Sequence, residues 1–237
     1  MKNLYFGDNR DLFKYDLVLR IIKERLVNHF TFIPMLTPAK LTSINTKREG
    51  EQRDRSKAKA GCKNRDLVEF LNRFNNKSKR DIKHLDVWFK KQGIKIETLK
   101  GDFHNAERVE YFQEAGRRLL PKSVICVDPD IGLESEVGKP RDKHILYSEV
   151  TNLYKQMDSG SLLMIFQFIP REKRESYFQR ICGKLERKVG DLPIYISDNQ
   201  IAFFFLAKDK SLRKSLVNIL SAYKDSYSKL RIGNINM

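Results

Sequence analysis

Residues 123–134 read SVICVDPDIGLE, and this stretch decides the fold class. Apart from Ser123, its first five residues form a continuous apolar run, which is typical of a strand buried on both faces of a sheet. Residues 161–169, SLLMIFQFI, repeat the pattern at greater length. Helical patterns precede and follow both runs. This alternation predicts an α/β fold with a Rossmann-like, mostly parallel sheet and helices on both of its faces.

The same periodicities place the remaining elements on either side of this stretch. Apolar runs and alternating patterns predict further strands over 30–35, 94–99, 193–197 and 201–207. Helical spacing predicts helices over 12–26, 66–74, 81–92, 107–120, 143–157, 171–189 and 211–227, with Asp11 and Ser211 as the N-caps of the first and the last. Residues 198–200 leave room only for a tight turn, and such a turn joins antiparallel strands. The predicted sheet therefore carries a C-terminal antiparallel hairpin.

The charge of the chain is its clearest compositional feature. Of 237 residues, 46 are Lys or Arg and 30 are Asp or Glu, which gives a formal net charge of +16. The length suits a single α/β domain over 1–237. Basic side chains release condensed counterions when they meet phosphates, so the excess predicts RNA or DNA as a partner. The alternative is a basic surface that is merely solvated.

Residues 37–65 concentrate this charge, with nine basic and three acidic side chains and almost no large apolar ones. The composition predicts an exposed basic loop or insertion that buries no core. Such a loop would be either a nucleic-acid-binding arm or a tolerated surface insertion. As an arm, it offers six phosphate-binding candidates, which are Lys47, Arg48, Arg53, Arg55, Lys57 and Lys59.

Other classes of protein are disfavoured by what the sequence lacks. No run approaches the roughly 18 apolar residues of a membrane span, and no signal segment is visible. The three cysteines have no CxxC spacing and the four histidines no ligand spacing, so a zinc site is not expected. We therefore expect a cytoplasmic protein with reduced thiols and no membrane partner.

Two acids, Asp128 and Asp130, follow the buried strand over 123–127 at once. Ligands of open α/β sheets bind outside the carboxyl ends of the strands, so these acids are candidate catalytic residues. Pro129 fixes the local backbone and restricts Asp128 to an extended conformation. The alternative is an Asx-type turn that simply ends the strand.

Three segments resemble adenine-N6 methyltransferases that act on nucleic acids. Asp128-Pro129-Asp130 resembles the DPPY motif, in which the first acid accepts a hydrogen bond from the target amine and the aromatic stacks on a flipped base. Residues 6–22, FGDNRDLFKYDLVLRII, resemble the FHAGNHADVLKH region of the 23S ribosomal RNA adenine-N6 methyltransferases. Gly101-Asp102-Phe103 resembles their DGF element. The closer resemblance is to a bacterial and archaeal family of uncharacterised proteins with a GDxxDxxKY-like start and a DPDxGLE motif.

This resemblance implies a class I methyltransferase-like fold and S-adenosylmethionine as cofactor. By the same resemblance the enzyme would transfer a methyl group to a base amine in RNA or DNA, with Asp128 and Asp130 at the reacting centre. Lys14 takes the place of a cofactor-contacting lysine, and Asp102 that of an acid near the cofactor adenine. The implied cofactor-binding residues are Gly7, Asp8, Lys14 and Asp102.

Departures from the family pattern keep two alternatives open. Residues 32–38, FIPMLTP, contain no glycine where methyltransferases place a glycine-rich turn, and Ile131 replaces the aromatic of DPPY. One alternative is a metal-dependent nuclease, in which Mg²⁺ binds to carboxylates centred on Asp128 and Asp130. Its five candidate carboxylates are Asp8, Asp11, Asp128, Asp130 and Glu134. The other alternative is a catalytically degenerate protein of the same fold that only binds nucleic acid.

Overall fold

The computed structural model describes residues 2–38, 51–135 and 141–234. Its strands are β1 (His29–Ile33), β2 (Lys95–Thr98), β3 (Ser123–Val127), β4 (Gly132–Leu133), β5 (His144–Ile145), β6 (Leu162–Phe168), β7 (Ile194–Ser197), β8 (Ile201–Leu206) and β9 (Arg231–Gly233). Seven of them form one sheet with the order β2-β1-β3-β6-β8-β7-β9, while β4 and β5 form a small parallel pair. The first four strands of that order are parallel. Strand β8 runs antiparallel to both of its neighbours, and β9 runs antiparallel to β7.

Helices cover both faces of this sheet. They are α1 (Asn9–Lys23), α2 (Arg65–Asn72), α3 (Lys83–Lys91), α4 (Arg108–Arg117), α5 (Tyr147–Gln156), α6 (Arg174–Val189) and α7 (Lys210–Ser226). Each face of the sheet has its own apolar core. One core joins the sheet to α1, α2, α3 and α7, and the other joins it to α4, α5 and α6.

The alternation of side chains along β3 decides which face its end presents. Val124 and Cys126 pack into the core on the α1 side, whereas Ile125 and Val127 pack into the opposite core. Successive side chains of a strand point to opposite faces, so Asp128 continues the row of Val124 and Cys126 towards α1. The strand thereby delivers a carboxylate to the space beneath that helix.

The predicted α/β class and the antiparallel C-terminal hairpin are confirmed. The sheet is mixed, however: its core of four strands is parallel and its other end is antiparallel. Two predicted caps are wrong: the side chain of Asp8, not Asp11, caps α1, and that of Asp209, not Ser211, caps α7. The short strands β4, β5 and β9 were not predicted. With two or three residues each, they are too short to carry a periodic signal.

The basic segment departs from the prediction of an exposed loop that buries nothing. Among its described residues, 37–38 and 51–65, Ala60 is fully buried in the α1-side core. Gly61 has a φ of +80°, and a Cβ added there would lie 2.7 Å from the carbonyl oxygen of Leu12. Only glycine allows this approach, because both the backbone conformation and the contact exclude a side chain. This part of the segment therefore packs against α1. Lys47 and Arg48 lie outside the described residues.

Within the described ranges, no helix is both long enough and apolar enough to cross a membrane. All three cysteines are free thiols. Cys126 and Cys182 are buried, whereas Cys62 is exposed.

Candidate functional site

The segment before α1 is shaped by a glycine and an N-cap. Gly7 has a φ of +85°, a conformation that costs glycine little. This turn lets the Gly7 N–H donate to Oδ2 of Asp11 at 2.8 Å. Oδ1 of Asp8 accepts from the backbone N–H groups of Arg10 at 2.8 Å and Asp11 at 3.2 Å, which is a typical N-cap arrangement. Gly7, Asp8 and Asp11 are thereby locked into one turn.

Three arginines hold this turn from outside. Arg53 donates from Nη2 to the carbonyl of Phe6 at 2.8 Å, and Arg55 donates from Nη2 to the carbonyl of Gly7 at 2.7 Å. Arg80 donates from Nη1 to the carbonyl of Leu4. Arg55 also donates to Oδ1 of Asn9 at 2.9 Å. Two of the predicted phosphate-binding residues, Arg53 and Arg55, thus bind the backbone of their own chain.

The turn and β3 meet in what we call the acid–lysine cluster, formed by Asp8, Asp11, Lys14 and Asp128. Nζ of Lys14 donates to Oδ1 of Asp11 at 2.8 Å and to Oδ2 of Asp128 at 2.7 Å. Only 2% of the Lys14 side chain is exposed. Lys14 follows Asp11 by three residues, so both lie on the same face of α1. The ammonium of Lys14 thereby links α1 to the end of β3 through a buried contact with Asp128, 114 positions away.

The cluster lies at the topological switch point of the sheet. Strand β2 pairs on one side of β1 and β3 on the other, so the chain reverses its direction of winding between β1 and β3. The N–H of Asp128 donates to the carbonyl of Ile33, the last residue of β1, at 2.9 Å. Ligands of open α/β sheets bind at such a point, at the carboxyl ends of the strands.

Burial dominates the electrostatics of the cluster. It raises the pKa of Asp8 to about 6; the neighbouring Asp11 adds to this shift and Arg10 opposes it. Burial also raises the pKa of Asp128, although the Lys14 ammonium pulls in the other direction. Burial alone would lower the pKa of Lys14, but the carboxylates of Asp11 and Asp128 outweigh it and the pKa is raised. Lys14 is therefore a fixed cation, whereas Asp8 is suited to exchanging a proton near neutral pH.

A small cavity of about 50 Å³ opens beside the cluster. Tyr5, Phe166 and Phe168 contribute its aromatic walls. The guanidinium of Arg10 lies 4.6 Å from the ring centre of Phe168. Asp130, the second acid of the DPD motif, also lines the cavity and faces Nζ of Lys2 at 3.8 Å. The cavity offers space for a small group and not for a large ligand, since ligand pockets usually enclose roughly 300–1,000 Å³.

Two residues singled out in the sequence, Asp102 and Glu134, lie elsewhere, and Gln167 supports the loop between Glu134 and the cluster. Asp102 is exposed and follows β2, where it forms a parallel bridge with Leu36 on the far side of β1 from β3. Glu134 accepts from the N–H of Tyr147 at 2.8 Å, at the start of α5. Gln167 accepts from the N–H of Leu133 at 2.7 Å and so supports the loop after the DPD motif. The structure thus unites Gly7, Asp8, Lys14 and Asp128 but leaves Asp102 apart.

A metal centre does not emerge from the candidate carboxylates. Among the described residues, no group of three or more His, Cys, Asp or Glu side chains is arranged to hold a metal ion. The Lys14 ammonium already lies between the carboxylates of Asp11 and Asp128. A second cation at that position would have to displace it, and Mg²⁺ sites in proteins use oxygen ligands.

A much larger depression, which we call the basic groove, lies beside the start of α1. Asn9, which follows Asp8 in the sequence, is one of the residues that line it. The volume of the groove is about 880 Å³. Five amide side chains line it together with two carboxylates, Glu51 and Asp54. Its basic side chains are Arg53, Lys57, Lys59, Lys77 and Arg80.

The basic groove was only half predicted. Arg53, Lys57 and Lys59 belong to the segment singled out for its charge, whereas Lys77 and Arg80 do not. The run over 75–80, NNKSKR, carries three basic residues in six. That local density was the available signal. What the sequence could not show is that both basic runs donate to the segment before α1, and that Arg80 also pairs with Glu51.

Comparisons with known proteins do not assign the chain to a family. No family model, no curated protein and no solved structure matches the chain. The functional interpretation therefore depends on the cluster and the groove themselves.

Proposed function

We propose that this chain is a nucleic-acid-binding protein whose phosphate-binding surface is the basic groove. The observation that carries the proposal is the convergence of two basic runs, over 53–59 and 77–80, on one depression of about 880 Å³. Lysines that meet phosphates release counterions, and amide side chains hydrogen-bond to phosphates, sugars and base edges. The net charge of +16 supports the same partner.

The exposed lysines of the groove are the groups suited to phosphates. Lys57 and Lys77 are exposed, whereas the guanidinium groups of Arg53 and Arg80 bind carbonyl groups of the N-terminal segment. Lys57 is 3.1 Å from Asp54, but that pair is exposed and therefore weak. A phosphate can replace such a partner at little cost. The arginines shape the groove, and the lysines contact the polyanion.

The proposal includes a class I methyltransferase-like scaffold. A mostly parallel sheet with an antiparallel strand added by a C-terminal hairpin is the arrangement that the sequence resemblance implies. The contact of 2.7 Å between Lys14 and Asp128 also agrees with it, because it joins two of the three segments that carry the resemblance.

Methyl transfer to a base amine is the second candidate function, favoured by this meeting of motifs at the switch point. S-adenosylmethionine would supply an activated methyl group. The residues implied for its binding do not fit it in this arrangement, however. Lys14 is enclosed by two carboxylates, both backbone groups of Gly7 have partners within the chain, and the adjoining cavity holds about 50 Å³. We therefore place binding ahead of transfer. Micromolar affinity for S-adenosylmethionine in a calorimetric titration would reverse that order.

The metal-dependent nuclease receives less support. Of its five candidate carboxylates, Glu134 lies away from the cluster and accepts from the start of α5. Asp130 lines the cavity beside the cluster but faces Lys2, and Lys14 already pairs with Asp11 and Asp128. Among the described residues no metal-holding group was found. A buried lysine between carboxylates neutralises the charge that would attract Mg²⁺.

Fluorescence anisotropy with labelled 20-nucleotide RNA and DNA tests the proposal. We expect binding that weakens as salt rises from 50 to 200 mM. Replacement of Lys57, Lys59 and Lys77 by alanine should reduce the slope of log affinity against log salt by about two to three, because each lysine that neutralises a phosphate contributes close to one.

The matched control removes the same charge from the opposite face of the sheet. Lys155, Arg187 and Lys188 are exposed on α5 and α6, and their triple alanine variant should keep the wild-type slope. Equal losses in both triple variants would mean that binding follows net charge and not the groove. Absence of binding at 50 mM salt would overturn the proposal.

A further inference from the structure

An aromatic surface lies next to the basic groove, between α2 and α3. The ring of Trp88 stacks on that of Phe70, with centroids 5.0 Å apart and planes within 19°. His84 lies against Phe74 at 5.1 Å with planes 33° apart. We call these four residues the aromatic platform. They border a depression of about 690 Å³.

The platform is incompletely buried. His84 is exposed and Trp88 is half-buried. Val87, next to Trp88, exposes 56% of its surface and is one of two large hydrophobic side chains so exposed among the described residues. Packing of the core therefore accounts for Phe70 and Phe74, which are buried, and leaves Trp88 and His84 partly open to solvent.

The charge around the platform has one sign. Arg73, Lys79 and Lys91 line the depression, and no carboxylate is among its described lining residues. A polyanion complements such a rim. A purely acidic partner would account for the basic side chains but not for the aromatic ones, and an apolar partner would account only for the aromatic ones. Interleaved aromatic and basic side chains are the combination that binds the bases and backbone of single strands.

The platform and the groove are parts of one surface. The turn over 73–80 separates them, and it supplies residues to both. Asn76 and Lys77 line the groove, while Arg73 and Lys79 line the depression over the platform. A chain of phosphates that left the groove across this turn would meet the depression over the platform.

We infer that the partner is a single-stranded nucleic acid, whose phosphates follow the groove and one of whose bases stacks on the platform at Trp88. This inference rests on the proposed function and names its substrate class. A duplex cannot use the platform in this way, because its bases are already paired and stacked. The platform thus adds a preference for unpaired bases to a surface that otherwise recognises only the charge of the phosphates.

The experiment uses the single tryptophan of the chain as its probe. Because Trp88 is the only tryptophan, fluorescence excited at wavelengths that the nine tyrosines do not absorb reports on the platform alone. We expect quenching when 20-nucleotide single-stranded RNA or DNA is added to the wild-type protein, and less with a duplex of the same sequence. Separate RNA and DNA arms identify the preferred sugar.

Two variants extend the test. Trp88→Ala should weaken single-strand binding by about 5- to 150-fold, as expected for the loss of one base–aromatic stack, and leave duplex binding unchanged. Trp88→Phe keeps an aromatic face and should retain most of the affinity. The quenching of the wild type does not depend on the folding of either variant.

The outcomes separate this inference from the proposed function. Equal affinity for single strand and duplex, with unchanged Trp88 fluorescence, would overturn the platform while the lysine variants still lose binding. Loss of duplex and single-strand affinity together in Trp88→Phe would also overturn it. Absence of any nucleic-acid binding would remove both proposals.

Discussion

The acid–lysine cluster and the basic groove begin one residue apart, at Asp8 and Asn9, yet they use charge in opposite ways. In the cluster, Lys14 is almost fully buried and its ammonium is held by Asp11 and Asp128. In the groove, Lys57 and Lys77 are exposed to solvent.

The difference shows that charge alone does not identify a binding surface. A buried cation with two internal partners stabilises the fold only while both carboxylates and the cation are present, because removing one leaves a buried charge without its partner. An exposed lysine contributes little to folding and keeps its charge for a partner. The arginines at the border, Arg53 and Arg55, belong with the cluster in this respect, because their guanidinium groups bind the chain itself.

The largest expected effect comes from removing the buried cation. Lys14→Met leaves the carboxylates of Asp11 and Asp128 buried without their shared partner. Breaking a buried ion pair from one side costs about 3–5 kcal/mol, so we expect a loss of that size in the free energy of unfolding at pH 7. Urea denaturation followed by circular dichroism measures it.

The control for this substitution lies on the same helix. Lys23 is exposed near the end of α1, and Lys23→Met should change the unfolding free energy by no more than about 0.5 kcal/mol. A loss below about 1 kcal/mol in Lys14→Met would mean that the cluster is not closed around its lysine in solution.

Arg55 and Lys57 sharpen the comparison, since they differ in burial but carry the same charge in one short stretch. Arg55 donates to the Gly7 carbonyl, to Asn9 and to Oδ1 of Asn72 at 3.0 Å. Arg55→Ala should therefore lower the unfolding free energy by about 2–3 kcal/mol, as expected for lost hydrogen bonds to a charged donor.

Lys57→Ala is the matched control and should leave stability within about 0.5 kcal/mol. It should still reduce the salt slope of nucleic-acid binding by about one. If Arg55→Ala were as stable as Lys57→Ala, the segment over 51–64 would not be packed against α1.

Much of the fold was predictable because its signals are local. The run SVICV over 123–127 and the run over 161–169 identify strands by their own composition, and the tight turn at 198–200 fixes the direction of β8. The caps were harder. Asp8 and Asp11 are both acids near the start of α1, and only the left-handed turn at Gly7 decides that the first of them becomes the cap.

The site was predictable where it depends on strand ends, and not where it depends on packing. Asp128 could be placed at the sheet edge from its position after a buried strand. That Lys14 pairs with it requires the register of α1 over β3, which no sequence spacing reveals. Arg53 and Arg55 are basic residues in a polar stretch, and their role as donors to Phe6 and Gly7 depends equally on tertiary contacts.

The smallest expected effect concerns the charge state of Asp8, which distinguishes the cluster from the groove by its response to pH. Burial raises the pKa of this carboxyl from 3.8 to about 6. The folded state therefore binds a proton more tightly than the unfolded chain does, and Asp8 costs stability as pH rises through that range. Asp8→Asn keeps an N-cap oxygen but cannot ionise. Between pH 4.5 and 7.5 the unfolding free energy of the variant should gain about 2 kcal/mol relative to wild type.

Urea titrations of both proteins at several pH values measure this difference, and Asp209→Asn, at the exposed cap of α7, controls for a general effect of removing a capping carboxylate. A relative loss on raising the pH would show instead that Asp8 is stabilised as an anion, and that the cluster tolerates its third carboxylate through Arg10 and the helix N-terminus.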